Sequence, residues 1–336
     1  MSAQGVFVQS NEGTANRVFA FRRGDDGQLS EPVIVSSGGR GDDVPHLTSQ
    51  GSVVLTSDGT RLLVTNAGSD DVSVLSVVDE PQVVAVVPSG AAPKSVAEHD
   101  GLVYVLNTGD RSLVGFTLDA NGLVELPGSR RELAPEADPA QVGFTPDGAA
   151  LIVTDRGANA LLVYRVDGGG RLGEPQVTAS AGATPYGFAF ASGGTLVVTE
   201  AFGAAKGQAA ASSYRLDGNG PELVTGSVRN GRSEICWAVA SADGRHVFTT
   251  NFADSAVSRF SVSPGGELVL EDAVAGAAVD GEPGLRDEDL TGDGRFLYAI
   301  DADGGRIFGW RVDEVTLTRV ASWDGLPTTI AGLAAN

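Results

Sequence analysis

The chain has 336 residues, 42% of them hydrophobic, with 46 Gly, 15 Pro and a formal charge of −20. Acid spread along the whole chain repels phosphate backbones and excludes nucleic acid as an expected partner. The single cysteine, Cys236, excludes internal disulfides and multi-cysteine metal sites. No apolar run approaches the roughly 20 residues that cross a bilayer. The start "MSAQGVFVQSN" enters a strand pattern with neither a basic stretch nor an apolar leader, so the expectation is a cytoplasmic protein without a membrane partner.

In chain order the pattern is short strands and tight turns. "GVFVQSN" opens it, and "RLLVTNAGSDDVSVLSV" (61–77) reads as an apolar strand, a polar turn and a second strand. That phrase returns as "ALIVTDRGANALLVYRV" from Ala150, "HVFTTNFADSAVSRFSV" from His246 and "FLYAIDADGGRIFGWRV" from Phe296. The polar residue ending each such strand forms a column: Asn11, Asn66, Asn107, Asp155, Glu200, Asn251 and Asp301, spaced by 41 to 55 residues. Before those strands lie Gly turns such as Asp58-Gly59, Asp147-Gly148 and Asp293-Gly294, which supply the positive φ of tight hairpins. After the following strand comes a second Gly turn, as in "DANGL" and "SPGGEL". Helical periodicity is absent. Four strands per unit at a period of about 40–50 residues predict an all-β fold, one seven-bladed β-propeller of four-stranded antiparallel blades over 1–336. The C-terminal "TTIAGLAAN" matches other inner strands, so residues 328–334 are expected to close the ring beside the N-terminal strands.

Alternating strand direction puts both sets of Gly turns on one face. The other face receives the longer connections 36–50, 201–213, 226–237 and 275–290, where a rigid scaffold builds sites. Two sets of side chains should meet at that mouth: the Asn/Asp/Glu column and the starts of the innermost strands. Asn and Asp also end strands simply by bonding nearby backbone, so the column has a structural reading beside the functional one. His46 lies in the 36–50 connection and is a candidate general base. Arg156, Arg232, Arg286 and Lys94 are candidate cations for a carboxylate or oxyanion. "GGGRLG" (168–173) fits a nucleotide-loop pattern but lies between strands, and nucleophile-elbow, Walker and zinc-protease motifs are absent.

The stretches "AGATPYGFAF", "VVTEAFGAAKGQAAASSYRLDGNG", "CWAVASADGRHVFTTN" and "DGRFLYAID" resemble the seven-bladed propeller lactonases, which include bacterial 6-phosphogluconolactonases and fungal carboxymuconate-lactonising enzymes. The resemblance spans the chain and implies a lactonase-like hydrolase, lyase or cycloisomerase acting on a small cyclic or carboxylated substrate. Family enzymes present a His beside the Pro that opens an inner strand, whereas this chain has Pro93-Lys94, Pro139-Ala140-Gln141 and Pro185-Tyr186 there. Arg156 matches the family's polar turn and Glu200 the acid of the next blade. The expected catalytic group is therefore Arg156 on the carbonyl, Glu200 or Asp155 as base, and His46 or Lys94 on the leaving group. Expected substrate contacts are Lys94, Gln50, Gln141, Tyr186, Trp237, Asn66, Asn107, Asn251 and Asp289. No cofactor or metal is assigned. The alternative of a Ca²⁺ held by Asp155 and Glu200 with Asn107 or Asn251 resembles six-bladed lactonases. The expected assembly is a monomer. The rival reading is a non-catalytic propeller that binds a small molecule or protein on the same face. Exposed Tyr186, Trp237 and Phe252 would favour that rival, and perturbed channel carboxylates the enzyme.

Overall fold

A computed structural model describes residues 4–217, 220–279, 282–313 and 316–336. Seven antiparallel sheets stand around an axis, each numbered here from its innermost strand outward. Blade 1 joins the two ends of the chain: Ala331–Ala335, then Gly5–Gln9, Arg17–Arg22 and Val33–Ser36. The innermost strands of blades 2 to 7 are Val53–Leu55, Pro93–His99, Pro139–Phe144, Pro185–Phe190, Ile235–Ala240 and Leu285–Leu290. These strands touch their neighbours in sequence and return to Ala331–Ala335, which closes the circle.

The local chemistry explains the repeat. In blade 2 the Thr56 hydroxyl and the Thr60 amide both donate to Asp58 Oδ1, at 2.7 and 2.9 Å, and Gly59 takes the turn at φ +66°. Blade 4 repeats this with Thr145, Asp147 and Gly148 at φ +67°. The second strand of each blade is sandwiched between neighbouring blades. Leu62, Leu63 and Val64 in blade 2, and Leu151, Ile152 and Val153 in blade 4, are accordingly all buried. This two-sided burial is why these strands read as continuous apolar runs and not as strict alternation.

The closure strand runs from Ala331, a few residues later than expected. Ile330 N–H turns back to Pro327 O at 3.2 Å, so residues 327–330 form a turn instead of extending the strand. Val6 pairs with Ala335 and Val8 with Leu333, as ring closure requires. The connections at the long-loop face are shorter than the sequence suggests, because strands reach into them. The third strand of blade 5 already begins at Ala210, and its fourth runs to Arg229.

Candidate functional site

Six of the seven innermost strands carry a register shift at their long-loop end: Pro93/Ser95, Pro139/Gln141, Pro185/Phe188, Ile235/Ala238, Leu285/Glu288 and, in the closing strand, Ala331/Leu333. A bulge re-aims the extra side chain out of the pleat. Here the residues within or beside the shifts include Lys94, Tyr186, Cys236, Trp237, Arg286 and Asp287. The channel beneath them is not open from end to end. Residues 45–50, which the sequence places as a loop over the mouth, run across it. His46 N–H donates to Ile330 O at 3.0 Å and Gln50 N–H to Ala140 O at 3.1 Å. The Ser49 hydroxyl donates to Lys94 O at 2.6 Å, and the Trp237 indole N–H to Ser49 O at 3.1 Å. This strap ties blades 1, 3, 4 and 6 together and makes a floor. Below it a cavity of about 360 Å³, lined in part by Phe144, Val239 and Leu333, extends toward the short-turn end.

On that floor stands His46. Its ring meets the Trp237 ring edge-on at 5.4 Å, and Trp237 meets Tyr186 edge-on at 5.5 Å. Three cations converge on it. Arg156 lies with its guanidinium carbon 4.9 Å from the Tyr186 ring centroid and donates to Asp138 Oδ1 at 2.7 Å. Arg286 lies 3.6 Å from the Phe252 ring centroid and donates to Asp303 at 3.3 Å. Lys94 Nζ is 3.5 Å from Asp42, whose other oxygen accepts from the Asn11 side chain at 2.9 Å. The three cationic side chains are only 12–18% exposed, so they sit in a recess and not on a solvated rim. Each is oriented by one acid. Burial, then the charges of Arg286, Arg156 and Lys94, hold the His46 imidazole well below its ordinary range.

Apart from Asn11, which holds Asp42 beside Lys94, the strand-end residues described below bond the blade framework around them. Glu200 is fully buried and accepts from the Gly182 amide at 2.8 Å, the Ser227 hydroxyl at 2.7 Å and the Ser212 hydroxyl. Those partners lie on its own blade and give Glu200, expected as the base, a structural place in the frame. Asp155 Oδ1 accepts the backbone amides of Asp138, Gly157 and Ala158, a strand-end turn and not a catalytic pair with Glu200. Asn66 bonds Asn16, Ser37, Asp71 and Ser73. Asn107 bonds Ser89 and Ser112, while Asn251 bonds Asn230, Ala256 and Ser258. None of the three Asn side chains is left for a substrate in this arrangement. Asp155, Glu200, Asn107 and Asn251 are engaged in separate blades and do not form the Ca²⁺ cage weighed above. Among the described residues no group of three or more His, Cys, Asp or Glu is spaced to hold a metal ion.

Several expected contacts are part of the frame. Gln50 docks both ends of its amide on Ala238, and Gln141 does the same on Phe188, each imitating a strand partner. Asp289 accepts the Ala335 and Leu290 amides, both at 2.8 Å, and so latches the closing strand. Trp237 is buried, as is Tyr186, and Phe252 is covered by Arg286, so the mouth is a recess and not a flat apolar platform.

Sequence reasoning missed the importance of Asp287 and undervalued Arg286. Tyr186 Oη, Arg286 Nε and Asp287 Oδ2 are buried and without hydrogen-bond partners among the described residues. Arg286 and Asp287 both act electrostatically on Tyr186 and on Cys236. Burial pushes the Asp287 carboxyl well above the carboxylate range, offset only in part by Arg286 and the Gly332 amide. Glu288 is pushed up likewise by burial and by Asp289. Burial also raises the Cys236 thiol to about 12, so it is not a thiolate nucleophile near neutrality. The available signal was the acidic run "RDED" placed on an inner strand, where a solvated run would not be expected.

The comparisons agree with this architecture. No curated protein matches the sequence. Among solved structures, a Pseudomonas aeruginosa periplasmic gluconolactonase superposes with a TM-score of 0.76 at 18% identity, covering 99% of each chain. A putative 6-phosphogluconolactonase from Bacteroides uniformis gives 0.74 at 18% identity, and a Lactobacillus plantarum protein 0.77 at 18%, each again over 99% of both chains. At such identities the likeness is one of fold. The model of the family described as "Lactonase, 7-bladed beta-propeller" matches residues 16–201 and 200–328, so this chain belongs to that family.

Proposed function

We propose that the protein hydrolyses a small lactone carrying an anionic group, at the recess above the strap. The observation that carries this reading is the convergence of Lys94, Arg156 and Arg286 on a neutral His46 in a largely buried mouth. Three like charges held together are offset by rim acids at their outer sides and leave an anion-attracting interior. The names of two structural neighbours, a gluconolactonase and a putative 6-phosphogluconolactonase, support the same substrate class.

In this reading Arg156 and Arg286 hold the carbonyl oxygen as it becomes an oxyanion, and Lys94 holds the substrate's anionic group. Glu234, half-buried at the start of the blade 6 inner strand and close enough to raise the Cys236 thiol, replaces Glu200 as the base. It takes a proton from water as the water oxygen bonds to the carbonyl carbon. The ring C–O bond then breaks, and the departing alkoxide takes that proton, leaving a hydroxy acid.

The test is the rate of hydrolysis of glucono-δ-lactone and its 6-phosphate over the spontaneous rate. Turnover of the 6-phosphate is expected, with a higher kcat/KM than for the uncharged lactone. Arg156→Ala and Arg286→Ala should each lower kcat/KM by about 10²-fold, the usual size for loss of an oxyanion donor, with Tm shifted by only a few degrees. No turnover of either lactone, or full activity in both variants, contradicts the reading.

A further inference from the structure

His46 is held in an unusual way. Residues 46, 47 and 48 all have left-handed backbone, with φ of 52°, 53° and 57°, and none is glycine. Such a run is costly and persists only where the surroundings fix it. Leu47 fixes it from below, buried against Ala67 and Ala331. His46 N–H fixes it at Ile330 O. The bend also brings the Thr48 backbone N–H to His46 Nδ1 at 3.2 Å. A backbone amide can only donate, so Nδ1 must present its lone pair, and the ring proton of the neutral imidazole belongs on Nε2.

We infer that His46 serves the reaction as a neutral hydrogen-bond donor through Nε2–H, and not as the general base that its position suggests. This rests on the lactonase reading of the same recess. Nε2 has no protein partner among the described residues, and the ring is partly open to the mouth. The groups facing it are the Trp237 ring and the cations Arg286, Arg156 and Lys94. A protonated imidazole among three cations would be repelled. A neutral ring avoids that repulsion and still offers one donor to a carbonyl oxygen gaining negative charge, a use of histidine that needs a suppressed pKa. No proton leaves the ring, so the assignment adds no step to the reaction. The left-handed loop is thus a positioning device: Thr48 sets the tautomer and Leu47 holds the loop.

Nitrogen-15 NMR of histidine-labelled protein tests the assignment without any substrate. The chain has only three histidines, and His46→Gln identifies the resonances of interest. The expected spectrum has His46 protonated on Nε2, bare on Nδ1 and unchanged between pH 6 and 8. A proton on Nδ1, or titration within that range, overturns the proposal. Kinetics supply the second arm. Gln places an amide N–H near the position of Nε2 but is not a base, so His46→Gln should keep activity within about tenfold of wild type while His46→Ala loses about 10²-fold. Equal loss in both variants overturns the donor role. If neither lactone is hydrolysed by the wild type, the functional reading fails and the spectrum alone decides the state of the ring.

Discussion

Removal of residues 328–336 unfolds the ring instead of trimming it. Those residues contain the whole innermost strand of blade 1, whose register with the N-terminal strand runs from Val6↔Ala335 to Gln9↔Ala331. Gly5 and Asn336 exchange two further backbone hydrogen bonds, at 3.2 and 2.8 Å. Leu333 and Ala335 belong to the apolar cluster that joins Val6, Val8 and Phe21 of blade 1 to Tyr298 and Ile300 of blade 7. The deletion therefore exposes apolar faces on both sides of the seam and an unpaired strand edge. It also removes Ile330 O, the acceptor that holds His46. The truncated chain should show no cooperative melting transition, or one lowered by well over 10 °C, by circular dichroism; an unchanged Tm contradicts the closure. The same seam carries a pH dependence. Burial raises Asp289, which bonds the Ala335 amide, to about 7. An unfolded Asp titrates near about 3.9, so the folded state binds the extra proton between those values. This group's contribution to stability is full below about pH 4 and is lost as the pH rises to about 7. Asp289→Asn should flatten that decline.

Glu200→Ala should damage the fold and not the chemistry. Its carboxyl takes three donors, Gly182 N–H and the hydroxyls of Ser212 and Ser227, in a fully buried space. Each donor left unpaired costs about 1–3 kcal/mol, so a loss of about 3–5 kcal/mol is expected by urea denaturation. Below the unfolding transition the variant should turn over substrate at close to the wild-type rate. Loss of turnover with unchanged stability would return Glu200 to the active centre.

The architecture was legible because a propeller writes its repeat into the sequence. The strand-end column and the Thr/Ser-x-Asp-Gly turns mark the same points in most blades, and each turn closes with the same bonds. The candidate site was less legible for the same reason. Asp155 and Glu200 stood out as departures from Asn, yet backbone amides bond Asp155 Oδ1, and an amide with two serine hydroxyls bonds both oxygens of Glu200. Linear spacing could not show that. Nor could it show that residues 45–50 cross the axis, because three consecutive left-handed residues at His46, Leu47 and Thr48 have no sequence signature. Lys94 beside a strand start, Arg156 in a strand-end turn and His46 in a long connection were recognisable as isolated basic groups. That they share a recess with Arg286 depends on bulges in different blades, which only the assembled ring brings together.

The most direct measurement is the location of gluconate, the product that the proposed hydrolysis of glucono-δ-lactone would leave. A crystal structure of the protein with gluconate should place its carboxylate within hydrogen-bond distance of the Arg156 and Arg286 guanidinium groups, above the strap and beside His46. Gluconate bound instead in the cavity below Trp237 or between blades, with the mouth empty, would contradict the account.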